Sequence, residues 1–346
     1  MNRAGVGILL ASAIACSSAS FAAEGGKSVY LLGTTTSMAG MTPPPGFYFN
    51  SLAYYYGVRA SGSAAFSRTP AHSNPNLPSF VTLQGNADLK VKADVAIKVS
   101  SLLWVAPTPV LGGKVGFGVL LPVGYQSTEV DVAARAALTF PGGSILGPGQ
   151  RRRVTDDTFA IGDPVATAFI GWSSGHFHWK MTGLVNIPVG SYSQNSLVNM
   201  GFNRWAADLT GSLTYLNPGN GIEISVSPGI TFNGMNPKTN YRTGTEFHVE
   251  AAVMQHFSPT FSVGVAGYHY QQITGDSGSG AVLGDFKGRV SAIGPSLNYT
   301  FAVGDYPVIS SVRWMREFNA KNRAAGDAAF LTFTIPLGGK AQLKSH

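Results

Sequence analysis

The stretch DLKVKADVAIKV, residues 88–99, alternates polar and apolar side chains at nearly every position. Successive side chains of an extended strand lie on opposite faces, so this period of two predicts a strand with one apolar and one polar face. The same alternation recurs in residues 176–187, 222–233 and 331–337. The pattern predicts an all-β protein.

Composition limits the class of protein to two. The chain has 346 residues, of which 44% are hydrophobic and only 12% charged, whereas about 25% is usual for soluble domains. After residue 23 no apolar run approaches the ~18 residues of a membrane helix, and disorder would require low hydrophobicity. A membrane β-barrel or a large apolar soluble β-protein remains. The single cysteine, Cys16, excludes disulfides and cysteine metal sites.

The first residues have the features of a signal peptide. Asn2-Arg3 supplies a positive start, and residues 6–15 form an apolar stretch too short to span a membrane. Small residues suited to signal-peptidase cleavage follow in Ser20-Phe21-Ala22. We therefore expect residues 1–23 to be a signal peptide, cleaved near Ala22 or Ala23, and the protein to be exported.

Alternating segments predict about twelve strands, each of about the 9–11 residues, or a little more, with which a tilted strand crosses a bilayer. They are residues 47–58, 87–105, 113–125, 162–172, 176–188, 204–216, 221–233, 246–257, 261–273, 287–301, 307–318 and 327–337.

The connections between these segments are short and long in turn. The short ones are 106–112, 173–175, 217–220, 258–260 and 302–306, and the long ones are 59–86, 126–161, 189–203, 234–245, 274–286 and 319–326. Outer-membrane barrels join their strands by short periplasmic turns and longer outside loops. Residues 47–337 are therefore predicted to form a transmembrane antiparallel up-and-down β-barrel of about 12 strands in the cell outer membrane.

Aromatic residues lie where the two membrane interfaces would be. Trp104 and Trp179 are close to short turns, whereas Tyr125 and Trp205 are close to long loops. Aromatic belts border the apolar band of membrane barrels, although aromatics are also common in strands generally.

If the apolar faces meet lipid, the polar faces line the lumen. Their charged groups have both signs, so they could pair with one another or line a path for solute. The predicted lumen-lining residues are Lys92, Asp94, Lys98, His178, Lys180, Glu223, Glu246, His248, Glu250, Arg289, Arg313 and Glu317.

Two terminal segments flank the predicted barrel. Residues 24–46 contain Thr34-Thr35-Thr36 and Pro43-Pro44-Pro45-Gly46. A barrel of twelve strands is wider than one filled by its own side chains, so this segment is either a plug in the lumen or a periplasmic tail. Residues 338–346 form a basic C-terminal tail.

Enzyme, metal and nucleic-acid functions are not favoured by the motifs. The run Gly275-Asp276-Ser277-Gly278 copies the surroundings of a protease serine, but glycine, serine and aspartate are ordinary in turns. His176 and His178 lack a matching pair at metal-ligand spacing. We expect no cofactor, no metal and no nucleic-acid partner. Arg151-Arg152-Arg153 fits either a solvated loop or contact with lipopolysaccharide phosphates.

Several motifs resemble the SphA-like, phenol-degradation meta-pathway outer-membrane proteins. They are Glu24-Gly25-Gly26, Pro43-Pro44-Pro45-Gly46, Tyr54-Tyr55-Tyr56-Gly57, residues 241–248, residues 271–280 and Glu317-Phe318. The resemblance covers most of the chain after residue 23. It implies an outer-membrane barrel associated with uptake of hydrophobic or aromatic compounds.

The function we expect is a channel or transporter for small hydrophobic or aromatic compounds, with passive or gated passage through the barrel. The alternatives are a barrel enzyme that acts on lipids and a structural barrel without transport. The expected partners are outer-membrane lipid, lipopolysaccharide and the solutes themselves, with the protein as a monomer.

Overall fold

The computed structural model describes residues 23–68, 82–140, 143–146, 149–281, 285, 287–304 and 306–337. The predicted tail 338–346 and all but the last residue of the predicted signal peptide lie outside the described residues. Within the part that is described, no helix is long and apolar enough to cross a membrane.

Within the described residues, the regular structure consists of sixteen strands and one short 3-10 helix at Glu24–Gly26. The strands are β1 Gly46–Arg68, β2 Thr82–Val105, β3 Lys114–Phe140, β4 Gly143–Leu146, β5 Gln150–Ile161, β6 Val165–Ser174, β7 Phe177–Asn186, β8 Ala206–Asn217, β9 Ile222–Asn233, β10 Met235–Asn236, β11 Tyr241–Arg242, β12 Glu246–Ser258, β13 Phe261–Gln272, β14 Arg289–Val303, β15 Tyr306–Lys321 and β16 Gly326–Leu337.

The long strands form one closed antiparallel barrel. Each pairs with its neighbour in the order β2, β1, β16, β15, β14, β13, β12, β9, β8, β7, β6 and β3, and pairing of β2 with β3 closes the ring. Closure gives each of these twelve strands a neighbour on both sides, which satisfies the backbone N–H and C=O groups where the strands cross lipid. The predicted barrel of about 12 strands is confirmed.

The first three strands extend beyond the rest of the barrel. Their lengths are 23, 24 and 27 residues, and the small strands β4 and β5 pair with the far end of β3. Of the loops predicted at 59–86 and 126–161, residues 59–68, 82–86, 126–140, 143–146 and 150–161 are therefore strand. A strand above the membrane needs no apolar face, so its sequence loses the alternation on which the prediction depended; residues 61–65 read SGSAA.

A break separates β5 from β6, which otherwise follow the same edge of β3. It falls at Gly162-Asp163-Pro164, and the Asp163 carboxylate there is 2% exposed. This carboxylate accepts hydrogen bonds from the backbone N–H groups of Gly190 (2.7 Å) and Phe202 (2.7 Å). The connection between β7 and β8 is thereby attached to the wall at the break.

The barrel has an apolar outer face bordered by aromatic side chains. Ile224, Val253 and Val265 are paired across three neighbouring strands, and each is about half exposed. At the short turns the aromatic pairs Trp172–Trp179, Phe257–Phe261 and Tyr299–Phe301 stack with centroids 6.0–6.5 Å apart. At the other end Tyr125, Phe159 and Phe232 are exposed. This is the surface of a membrane-spanning barrel.

We expect Val253→Arg to destabilise the barrel by about 2–4 kcal/mol, because Val253 lies on the outer face midway along β12, where the arginine would meet lipid. The free energy of unfolding in lipid vesicles, measured by urea titration, tests this.

Ser127→Arg is the matched control, since Ser127 lies two residues beyond Tyr125 on the same face of β3. The control should change stability little. Equal losses for both variants would place the apolar band elsewhere.

Candidate functional site in the barrel interior

Most of the charged residues predicted to line the lumen lie on the inner face. Six of them are buried and two are partly exposed, and all alternate along their strands with exposed apolar residues of the outer face. The inward residues are His178, Lys180, Glu223, Glu246, His248, Glu250, Arg313 and Glu317.

Four of the predicted lumen residues lie on the outer face instead. Lys92, Asp94 and Lys98 share the face of Trp104, and Arg289 pairs with outward Gln271 on β13. The sequence contained a signal against the prediction: Lys98 is six residues from Trp104, and an even spacing keeps side chains on one face. Because Trp104 belongs to the outward aromatic belt, the charged residues on its face are expected to point outward too.

The inner face of β2 is consequently apolar. Val95, Ile97 and Val99 share the side of the buried Val105 and are only partly covered. Leu120 and Pro122 of β3 lie beside them across the strand pair. We call these five residues the apolar wall. The sequence prediction missed it, because it assigned every apolar face to lipid.

Residues 23–45, which we call the lumen segment, run along the inside of the barrel. At one end the Ala23 backbone nitrogen is 3.0 Å from Asp276, in the connection after β13. Further on, the Gly40 nitrogen donates to Thr214 of β8 at 2.9 Å. The segment reaches β1 at Gly46, which pairs with Val105 at the turn end. The lumen segment thus spans the interior from the loop end to the turn end.

Two inward carboxylates hold the middle of the lumen segment. Glu250 accepts the backbone N–H groups of Gly33 (2.6 Å) and Thr35 (2.5 Å). Glu223 accepts the Met38 N–H at 2.5 Å and the Ser37 hydroxyl at 3.0 Å. Hydrogen bonds to a carboxylate are stronger than those between neutral groups. Both carboxylates are 0% exposed. Water does not reach them, so the lumen segment supplies hydrogen-bond donors that water would otherwise provide.

Apolar and aromatic contacts add to this attachment. The Tyr30 ring stacks on His248 with centroids 3.7 Å apart, and His248 Nε2 lies 2.9 Å from Asp208. Gly33 has a φ of +87°, and a Cβ there would lie 2.6 Å from the Phe330 ring. Only glycine meets both conditions, since other residues disfavour positive φ and carry a Cβ.

The loop end of the interior contains charged groups that the sequence did not point to. Arg204, 2% exposed, pairs with Glu24 of the lumen segment at 3.2 Å. Glu24 also accepts from Asn236 at 2.8 Å and Thr239 at 2.6 Å. Arg204 begins the predicted strand 204–216 but lies just before β8 in the structure, and the other three residues lie in irregular or very short segments, where alternation gives no signal. Proximity of chain segments in the fold brings them together.

The protease-like serine has an ordinary turn environment. The Ser277 backbone N–H donates to the Arg242 carbonyl at 2.9 Å, and the Ser277 carbonyl accepts from Arg242 at 2.8 Å. The Asp276 carboxylate beside it accepts from Gly244 and Gln272. These contacts build the turn and do not direct a base toward the hydroxyl.

We expect Glu250→Gln to loosen the lumen segment, because the Glu250 carboxylate accepts the Gly33 and Thr35 N–H groups on separate oxygens, whereas the glutamine amide has one acceptor oxygen and an NH2 group that cannot accept the second N–H. The chain has no cysteine after residue 16, so Leu31→Cys provides a single reporter. Its maleimide labelling should be several times faster when Glu250→Gln is present.

Glu129→Gln is the control for that measurement. Glu129 lies on the outer face of β3, 3.3 Å from Arg153, and its change should leave the labelling of the reporter unaltered. Unchanged labelling in the Glu250 variant as well would contradict the role assigned to its carboxylate.

A solved structure shares this architecture, and others are similar to a smaller degree. An outer membrane channel from Pseudomonas putida F1 matches with a TM-score of 0.61 and 15% identity, over 89% of this chain and 100% of that one. A Pseudomonas aeruginosa FadL homologue has a TM-score of 0.38 and 10% identity, over 87% and 92%. The monoaromatic hydrocarbon channel CymD has a TM-score of 0.33 and 8% identity, over 86% and 90%. No curated protein matches in sequence.

The Pseudomonas putida structure therefore shows that the fold is that of an outer-membrane channel, and the apolar outer band fits that location. The sequence profile of the family described as "Putative MetA-pathway of phenol degradation" matches residues 75–333, about three quarters of the chain. This protein belongs to that family.

Proposed function

We propose that the barrel conducts small hydrophobic and aromatic solutes across the outer membrane, along the space beside the apolar wall. The observation that carries the proposal is the partly exposed inner face of Val95, Ile97 and Val99, with Pro122 opposite Val99. A lumen that served only ions or sugars would have no use for uncovered apolar surface in its interior.

The chemistry of the apolar wall favours this class of solute. Burying apolar surface is worth about 25 cal/mol per Å², so an aromatic solute gains free energy on the wall, whereas a polar solute would lose hydrogen bonds to water there. The name of the family refers to phenol degradation, and the wall is suited to monocyclic aromatic molecules of that kind.

The lumen segment is the element that would regulate passage. It lies across the interior and is covalently joined to the wall only at Gly46. Its other contacts are hydrogen bonds and packing, such as those of Glu223 and Glu250, which can break and re-form. We therefore assign residues 24–46 the role of a plug whose displacement widens the channel.

The extended end of the barrel would face lipopolysaccharide. Beyond Tyr125 its outer face carries Glu129, Asp131, Arg151 and Arg153 in contact with one another. The hydrogen bond from the Arg151 guanidinium lowers the pKa of the Asp131 carboxyl to about 2. The exposed guanidinium groups suit the phosphates of lipopolysaccharide, which arginine binds in a bidentate manner.

We expect Ile97→Asp to slow entry of an apolar aromatic dye, because it places a charge in the middle of the apolar wall. The measurement uses cells with an intact outer membrane and N-phenyl-1-naphthylamine, which fluoresces on reaching inner lipid. The variant should reduce channel-dependent uptake several-fold at equal amounts of folded protein.

Thr182→Asp is the matched control, since Thr182 is an interior polar position of β7 that pairs with Phe169 and Thr210. It adds the same charge away from the wall and should leave uptake near that of the native protein. If the Ile97 variant transports as well as the control, the apolar wall is not the route.

Deletion of residues 27–40 tests the plug directly. Removal of this stretch should increase single-channel conductance in planar bilayers several-fold, because the interior would then contain water in its place. Heat-modifiable migration on a gel would verify that the shortened protein folds. A folded deletion variant with native conductance would rule out a plug.

A further inference from the structure

Asp276 is a buried carboxylate at the loop end of the barrel interior, with 6% of its surface exposed. One oxygen accepts the Gly244 N–H at 3.0 Å and the Gln272 amide at 2.6 Å. The other accepts the Tyr241 hydroxyl and the Ala23 backbone nitrogen, the latter at 3.0 Å. Four donors from separate parts of the chain therefore converge on one carboxylate.

None of these donors is a charged side chain. Among the residues that the structure describes, the ion pairs within 4.0 Å involve Asp94, Glu129, Asp131 and other acids, but not Asp276. The nearby buried cation Arg204 pairs with Glu24 instead. Burying a carboxylate without a cation is costly, so a positive charge on one of its four donors would stabilise Asp276.

We propose that signal peptidase cuts the chain between Ala22 and Ala23, and that the α-ammonium group formed at Ala23 is the cation that Asp276 binds. Water adds across the Ala22–Ala23 amide bond: its hydroxyl goes to the Ala22 carbonyl carbon, which leaves as a carboxylate with the signal peptide, and the Ala23 nitrogen becomes a protonated amine. The backbone nitrogen that donates at 3.0 Å then becomes the positive end of an ion pair.

The contact between Ala23 and Asp276 distinguishes the two cleavage sites that the sequence allows, after Ala22 and after Ala23. Cleavage after Ala23 would create the new ammonium group at Glu24, whose nitrogen faces the neutral Thr243 hydroxyl at 3.2 Å. That cut would also remove the Ala23 nitrogen from Asp276. Cleavage after Ala22 places the new charge on the Ala23 nitrogen, 3.0 Å from the Asp276 carboxylate. Ser20 and Ala22 then occupy the positions −3 and −1, where small residues are required.

The consequence is a lumen segment attached at both ends. Gly46 continues into β1 at the turn end, and the Ala23–Asp276 ion pair fixes the other end near the long loops. Export of the protein and closure of its interior are then coupled, because the precursor lacks the charge that completes the attachment.

The first measurement is the N-terminal sequence and the reactivity of the α-amine in protein extracted from the outer membrane. The full precursor, expressed in a Gram-negative host, should give a mature chain that begins at Ala23. Labelling of that amine by 2-pyridinecarboxaldehyde should be about tenfold slower in the folded protein than after heat unfolding, as expected for loss of one charge-assisted hydrogen bond. A different first residue, or equal rates, would overturn the proposal.

Two variants separate the ion pair from its surroundings. Asp276→Asn removes the charge and should bring the labelling rate close to that of unfolded protein, whereas Tyr241→Phe removes a neutral donor to the same oxygen and should leave the amine protected. If Tyr241→Phe exposes the amine as fully as Asp276→Asn, the charge is not what holds it and the proposal fails. The comparison of folded with unfolded native protein decides the matter even if Asp276→Asn does not fold.

Discussion

Pairing of the backbone polar groups is the constraint on which the rest of this structure depends. A strand in lipid has no water to bind its N–H and C=O groups, so the sheet must close on itself, and it does so through the β2–β3 pairing. Closure fixes the width of the interior. Twelve strands enclose more space than their own side chains fill, and the lumen segment occupies part of that space.

The charges of the interior follow from this arrangement. Glu223 and Glu250 lie on the walls at 0% exposure, and backbone N–H groups of the lumen segment are hydrogen-bonded to them. Without the segment, these carboxylates would need water or cations in its place. The inner face of the strands and the lumen segment are therefore complementary. The strands carry carboxylate acceptors at the positions where the irregular lumen segment has backbone N–H donors.

The sequence predicted the strands well and their faces only in part. Alternation locates a strand but does not say which of its faces meets lipid, whereas an aromatic residue of the membrane belt does. The even spacing between Lys98 and Trp104 predicts that both side chains face outward. The length of the first three strands was missed because a strand beyond the membrane needs no apolar face. Asp276 and the pairing of Arg204 with Glu24 were beyond prediction, since tertiary contacts alone bring the residues of these contacts together in the interior.

The two halves of the interior depend on each other. The hydrophobic effect alone would favour packing of Tyr30 and Leu32, in the lumen segment, against the apolar wall. They do not pack there, because Tyr30 and Leu32 are already buried in an apolar cluster that includes Phe330, and because Glu223 and Glu250 hold the backbone of the segment. Hydrogen bonds and apolar packing on the opposite side of the interior thus keep the apolar wall uncovered. An apolar surface kept free in this way is available to a solute, so the carboxylates that hold the lumen segment also preserve the space beside it.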